Sequence, residues 1–169
     1  MKYILLLRHA KSSWKDLSLS DHNRPLNKRG KRTAPIMGQR LSIKEHQPQY
    51  VISSTAKRAL DTACIVTNEI GFNLDKIETK SRLFHAWPDD ICEVIAQCDD
   101  SFDKLMVVGH NPGVTMLANE LLKSNKFNNI PTAGLVTISL DINNWQEILK
   151  HENINCQLID YDFPKLNVI

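Results

Sequence analysis

No apolar run in this sequence approaches the roughly 18 residues that a membrane-crossing helix needs. The run near the amino end, Tyr3 to Leu7, closes at Arg8 and has no small-residue cleavage site behind it. It reads as a buried strand of a cytoplasmic protein rather than a leader peptide. The 4 cysteines, Cys64, Cys92, Cys98 and Cys156, form no Cys-x-x-Cys pair. That pattern argues against a disulfide framework or a zinc site and leaves reduced core thiols. There is no Gly-x-Gly-x-x-Gly and no Walker-type loop, which removes the common nucleotide-cofactor readings. Repeats and low-complexity tracts are absent. No recognised nucleic-acid module or aromatic-studded basic stripe is present either, so neither nucleic acid nor a membrane is an expected partner.

What is there is ordinary globular material. The chain has 169 residues, of which 42% are hydrophobic and 24% charged. A domain of that size buries about 70% of the surface its unfolded chain exposes and needs no disulfide or metal staple. The net charge of +2 conceals an asymmetry: residues 1–60 are strongly basic and residues 61–169 acidic. A positive field in the first third would attract phosphate or an acidic protein surface, unless the two parts fold together and their charges interleave.

Residues 3–7 form a continuous apolar run, as a central parallel strand covered on both faces would. Residues 10–27 are polar and read as a loop. A helix capped by Asn27 is expected through Gly30, Ala34, Met37 and Leu41, kinked at Pro35. Residues 50–53 form a second strand, and Leu60, Ala63, Cys64, Thr67 and Ile70 then recur at helical spacing up to Gly71. A short strand is expected near 77–79. Pro88 suits the first position of a helix, with Asp89 and Asp90 well placed in its first turn. Residues 104–109 form a buried strand, followed by a helix over 114–123 and a polar loop over 123–133. Segments 135–140 and 157–161 read as late strands, antiparallel at an edge. This alternation implies an α/β fold, a single compact three-layer domain over 1–169 with a mostly parallel sheet and helices on both faces. In such folds the ligand site lies beyond the carboxyl ends of the strands.

Three of those strand ends carry chemistry. They read Leu7-Arg8-His9-Ala10, Ser53-Ser54-Thr55-Ala56-Lys57-Arg58 and Gly109-His110-Asn111-Pro112-Gly113. Taken singly, Arg8 and Arg58 read as surface charges and His9 as a structural histidine. Delivered together to one edge of a sheet, two arginines and two imidazoles make a pocket for a dianion.

Leu6-Leu7-Arg8-His9-Ala10 resembles the Arg-His-Gly/Ala signature of the histidine phosphatase, or phosphoglycerate mutase-like, superfamily. Ser53-Ser54 with Arg58-Ala59 and Thr62-Ala63 resembles its second motif, and Gly109-His110-Asn111-Pro112 its third. Within the superfamily the chain is most similar to the SixA group of phosphohistidine phosphatases. Lys11-Ser12-Ser13-Trp14, Asp21-His22-Asn23-Arg24-Pro25-Leu26, Arg29-Gly30 and Pro131-Thr132-Ala133-Gly134 extend the likeness over nearly the whole chain.

The resemblance implies the phosphoglycerate mutase-like fold, a phosphatase activity without metal or cofactor, and four catalytic residues. His9 would attack phosphorus and become a phosphohistidine intermediate. Arg8 and Arg58 would clamp the phosphoryl oxygens through fork-like hydrogen bonds, and His110 would donate to one of them. Ser13 and Arg24 are outer substrate-binding candidates, although Asp21 and Arg24 could equally form an ion pair that fixes the loop. Larger members use a carboxylic acid to protonate the leaving oxygen. Here the candidates are Asp89 and His85, and helix capping is the plainer reading of Asp89. A missing acid would favour phosphohistidine over phosphate monoesters, because a P–N bond departs more readily than an alkoxide. The implied substrate is therefore a phosphohistidine-bearing protein domain, such as a histidine phosphotransfer domain, with phosphate as product. The alternative is a broad-specificity phosphatase acting on small monoesters. Arg8 and Arg58 argue against a metallohydrolase built on His9, His110 and Asp89, since two permanent cations repel a divalent ion. A noncatalytic phosphoprotein-binding module would not need both histidines.

Overall fold

The computed structural model describes residues 1–166; residues 167–169 of the expected domain span 1–169 lie outside the described residues. Its frame is a six-stranded sheet in the order β3-β2-β4-β1-β5-β6. The strands are β1 (Lys2–Arg8), β2 (Tyr50–Ser54), β3 (Glu78–Lys80), β4 (Lys104–Gly109), β5 (Leu135–Leu140) and β6 (Cys156–Asp162). β1, β2, β3 and β4 pair in parallel. β5 and β6 join antiparallel at the β1 side, as the late segments suggested.

Strands that are apolar on both faces need cover on both, and the four α-helices provide it. Leu5, Leu7, Met106 and Val108 pack with Ala34, Met37 and Leu41 of α1 (Lys28–Ser42) and Ala59, Ala63 and Val66 of α2 (Lys57–Asn68). The alternate residues Ile4, Leu6, Leu105 and Val107 pack with α3 (Pro88–Ile95) and α4 (Gly113–Leu121) on the opposite face. The 3-10 segment Trp145–Asn153, which the hydrophobic spacing did not reveal, closes that second core with a fully buried Trp145. Its indole N–H donates to the Phe102 carbonyl at 3.0 Å.

Local chemistry sets the helix ends. The Asn27 side chain accepts from the Gly30 N–H, a standard amino-terminal cap. Pro35 sits inside α1 without ending it. Proline removes one ladder bond, and the buried stripe of Ala34, Met37 and Leu41 continues on both sides of it. Gly30 has a separate reason to be glycine: a Cβ there would lie 2.2 Å from the carbonyl oxygen of Lys11. The loop over 10–27 therefore folds back onto the start of α1, and Ser12 bridges Leu26. Among the described residues, no helix is long and apolar enough to cross a membrane.

Candidate active site

The register of β1 and β4 places the two histidines. Arg8 pairs with Gly109 at the carboxyl ends of these adjacent parallel strands, so the next residues, His9 and His110, emerge side by side. The His9 N–H donates to the Gly109 carbonyl at 3.0 Å. The two rings lie 5.1 Å apart between centroids, close to the spacing of neighbouring strands. Ser54, the last residue of β2, pairs its hydroxyl with His110 Nε2 at 2.8 Å. α2 begins just beyond β2 and brings Arg58 to the same edge. Thr62, one turn further, accepts the Ala10 N–H at 2.9 Å and donates to the Arg58 carbonyl at 2.7 Å, tying the segment after β1 to that helix.

Residues 131–134 fix the strand end from the other side. The Arg8 N–H donates to the Gly134 carbonyl, and the Ala133 N–H lies 3.1 Å from the carbonyls of both Arg8 and His9. Arg8 Nη1 donates to the Ile130 carbonyl at 2.8 Å, while its buried Nε has no protein partner. A main-chain oxygen carries no sequence signal, so this support from the polar loop over 123–133 was not legible beforehand.

A cavity of about 420 Å³ opens over this edge, lined among others by Arg8, His9, Asp21, Arg58, His85 and His110. The four residues expected to be catalytic thus meet in one place. Asp21 joins them, and sequence reasoning had treated it only as a possible ion-pair partner of Arg24. Its carboxylate bonds Arg24 through Oδ1 at 3.0 Å, and Arg58 and His85 through Oδ2 at 3.0 and 2.9 Å.

The outer candidates stand elsewhere. Arg24 is buried but does not line the cavity: it is held by Asp21, the Ser12 hydroxyl and the Ser13 carbonyl, and stacks 3.3 Å from the centre of the Trp14 ring. Its donors are committed to protein oxygens, so Arg24 ties the loop together. The Ser13 hydroxyl accepts from the Lys15 N–H, outside the cavity lining. Asp89 is exposed in the first turn of α3 and also lies outside the lining, because the helix axis carries it away from the strand ends. Its neighbour Asp90 caps that helix, accepting from the Trp87 N–H at 3.0 Å. Of the two acid candidates only His85 faces the cavity. Among the described residues no three His, Cys, Asp or Glu side chains cluster as metal ligands would.

The electrostatics suit an uncharged nucleophile. Burial, then the fields of Arg58, Arg8 and Arg24, lower the His9 pKa to about 4, against a bond to the Ala10 carbonyl that works the other way. Burial is the larger cause and the arginines reinforce it. That bond, Nδ1 to the carbonyl at 2.7 Å, requires the proton on Nδ1 and leaves the lone pair on Nε2. His110 is lowered to about 3, by burial first and then by His9 and Arg58. Burial alone would raise the Asp21 carboxyl, but the His85 and Arg58 bonds and the Arg24 charge outweigh it and hold it below its ordinary value.

The comparisons with known proteins agree with this geometry. The family model described as the histidine phosphatase superfamily, branch 1, matches residues 4–84. An uncharacterized Mycobacterium tuberculosis protein is 31% identical over 154 residues, covering 84% of this chain and 91% of that one. An uncharacterized chloroplastic protein of Arabidopsis thaliana is 51% identical over 59 residues, which is 35% of this chain but only 27% of that protein's length. Among solved structures, a candidate phosphohistidine phosphatase SixA from Agrobacterium tumefaciens superposes with a TM-score of 0.77 at 26% identity, covering 96% of this chain and 98% of that one.

Proposed function

The chain belongs to the histidine phosphatase superfamily and is a phosphatase with a histidine nucleophile, and from that premise we propose that the nucleophile is His9 and the substrate a phosphohistidine displayed on a protein domain. His9 Nε2 attacks phosphorus in line while Nδ1–H stays on the Ala10 carbonyl. Arg8, Arg58 and His110 take up the charge that spreads over the equatorial oxygens; such positioning and electrostatic stabilisation supply most of the catalysis in phosphoryl transfer. Water then attacks the phosphorylated His9. Because Nδ1 carries a proton, His9 departs as neutral imidazole and phosphate is released.

One observation carries the choice of substrate. Among the described residues Asp21 is the carboxylate that lines the cavity, and it is held ionised by Arg24, Arg58 and His85. The cavity therefore lacks the carboxylic acid that larger members use on a departing alkoxide and presents at its rim only the imidazole of His85, which suits a nitrogen leaving group that needs less help. The cavity is also open and rimmed by the exposed Trp87, which suits a phosphorylated side chain presented on a protein surface. A protein substrate and a soluble, cytoplasmic setting are consistent parts of this proposal.

The test compares turnover of a phosphohistidine protein with that of p-nitrophenyl phosphate, for the wild type and for His9→Ala. The phosphoprotein should be strongly preferred, both activities should vanish in the variant, and rapid quench should trap acid-labile, base-stable label on His9. Comparable turnover of the two substrates would instead favour a broad phosphatase of small monoesters, and label on another residue would remove His9 from its role.

A further inference from the structure

We infer that His85, held by Asp21 at the cavity rim, is the proton donor and acceptor of both half-reactions; this deepens the proposed function and rests on His9 being the nucleophile. The argument begins with direction. His9 is 8% exposed and forms the cavity floor, whereas the His85 side chain is 64% exposed and stands at the rim. In-line displacement sends the leaving atom away from the nucleophile, hence toward the rim. Attacking water arrives along the same path. A proton must be supplied there in the first step and removed there in the second.

Imidazole is the side chain suited to exchange a proton near neutral pH in both directions. The other titratable groups that line the cavity do not fill the role. Arg8 and Arg58 do not give up protons, Asp21 is committed to three cations or donors, and His9 and His110 lie deeper in the site. The His85 ring centroid is 6.2 Å from that of His110, on the side of the cavity that bears Trp87.

The backbone bears out that this side chain is deliberately placed. His85 has φ of 55°, a left-handed conformation that non-glycine residues seldom adopt and that recurs at functional sites. Its neighbour Ala86 is pinned, because its carbonyl lies only 2.1 Å from where a Cβ on Gly113 would stand. The ring lies tilted against Phe84, with centroids 4.1 Å apart. Its Nε2 meets Asp21 Oδ2 at 2.9 Å, so Nε2–H donates to the carboxylate and Nδ1 is the nitrogen left to exchange a proton. This is the carboxylate–histidine arrangement that fixes a ring's tautomer and orientation.

The steps balance. In the first, the Nε2–P bond to His9 forms as the P–N bond of the substrate breaks, and the His85 imidazolium gives its Nδ1 proton to the leaving nitrogen, which departs as neutral imidazole. In the second, water oxygen bonds to phosphorus, its proton passes to His85 Nδ1, and the P–N bond to His9 breaks. Phosphate leaves, and the His85 imidazolium, paired with Asp21, is restored.

The experiment follows labelled phosphoryl transfer from a phosphohistidine protein by rapid quench in the wild type, His85→Gln and His85→Gly. Glycine suits the left-handed backbone and vacates room for a small base. Label should still reach His9 in both variants, but its appearance and its loss should each slow by roughly 100-fold or more. Added imidazole should restore the His85→Gly rates and leave those of His85→Gln unchanged. Unchanged rates in His85→Gln, or a loss in His85→Gly that imidazole does not relieve, overturn the role of His85. Wild-type enzyme that never carries label on His9 overturns the underlying reading instead.

Discussion

The charge state of His9 gives a test that needs no substrate. Its pKa falls from 6.5 to about 4 on folding, chiefly because the ring is buried and secondarily because Arg58, Arg8 and Arg24 surround it. The unfolded chain therefore binds the His9 proton throughout an interval in which the folded protein does not. Stability must then rise with pH across that interval and fall as the solution is acidified from the unfolded value toward the folded one. Above the unfolded value nothing is lost. Working from those two pKa values at ~1.4 kcal/mol per unit, acidification from roughly pH 7.5 to roughly pH 4 should remove about 3 kcal/mol through this residue alone. His9→Asn is the informative variant, since its amide N–H can replace Nδ1 as donor to the Ala10 carbonyl but cannot titrate. Denaturant unfolding at fixed ionic strength, repeated across the pH range, gives the comparison directly. The variant should lose about 3 kcal/mol less than the wild type over that range. His110 titrates in the same direction and is coupled to His9, so a double variant should flatten the profile further, though not additively. Wild type and His9→Asn falling in parallel would refute the claim that burial among arginines keeps this imidazole neutral.

Two further outcomes concern packing. Gly113→Ala would push a Cβ to within 2.1 Å of the Ala86 carbonyl oxygen, backbone against backbone. Relieving it must shift the start of α4 or the segment bearing His85, so stability should drop by about 1–3 kcal/mol and kcat should fall, measured by thermal unfolding and turnover. Retained stability and turnover would show that the contact relaxes freely. Separately, burial, aided by Asp89 and Glu120, pushes the Cys92 thiol up to about 12. Iodoacetamide should label it at neutral pH only once the chain is unfolded, and fast labelling of the native protein, read by mass spectrometry, would contradict that.

The strands were legible because β1, β2 and β4 are apolar on both faces and short, and the helices because Asn27 and Pro88 mark their starts. Arg8, His9, Arg58 and His110 were legible because each follows a strand at a fixed offset, and parallel register does the rest. Asp21 was not. It lies in a loop whose path depends on Gly30 admitting the Lys11 carbonyl and on Ser12 bridging Leu26, and no periodicity encodes either. Reading along the chain offered Asp89 and His85 as acid candidates, with helix capping the plainer reading of Asp89. The helix that begins at Pro88 takes it away from the cavity while leaving His85, four residues earlier, at the rim. The 3-10 segment at Trp145 was missed for a related reason: its buried residues, Trp145 and Ile148, are too few to establish a period.

Two groups among the cations of the basic first third have different jobs. Lys2 pairs with Asp103, Arg40 with Asp162, and Lys44 with both Asp160 and Asp162. These pairs join the basic first third to the acidic remainder, and their mutual neutralisation weakens any extended positive face. Arg8, Arg24 and Arg58 behave otherwise. They come from the same third and gather around the nucleophile, with Asp21, also from that third, bonding Arg24 and Arg58. Arg8 is left with carbonyl and amide oxygens and an unpartnered buried Nε. A guanidinium so placed retains its charge and gains from any anion that supplies the missing acceptor. Three guanidinium groups thus bring positive charge to bear on His9 and the cavity beside it. A phosphoryl dianion entering that cavity meets this charge directly, before any screening by solvent ions.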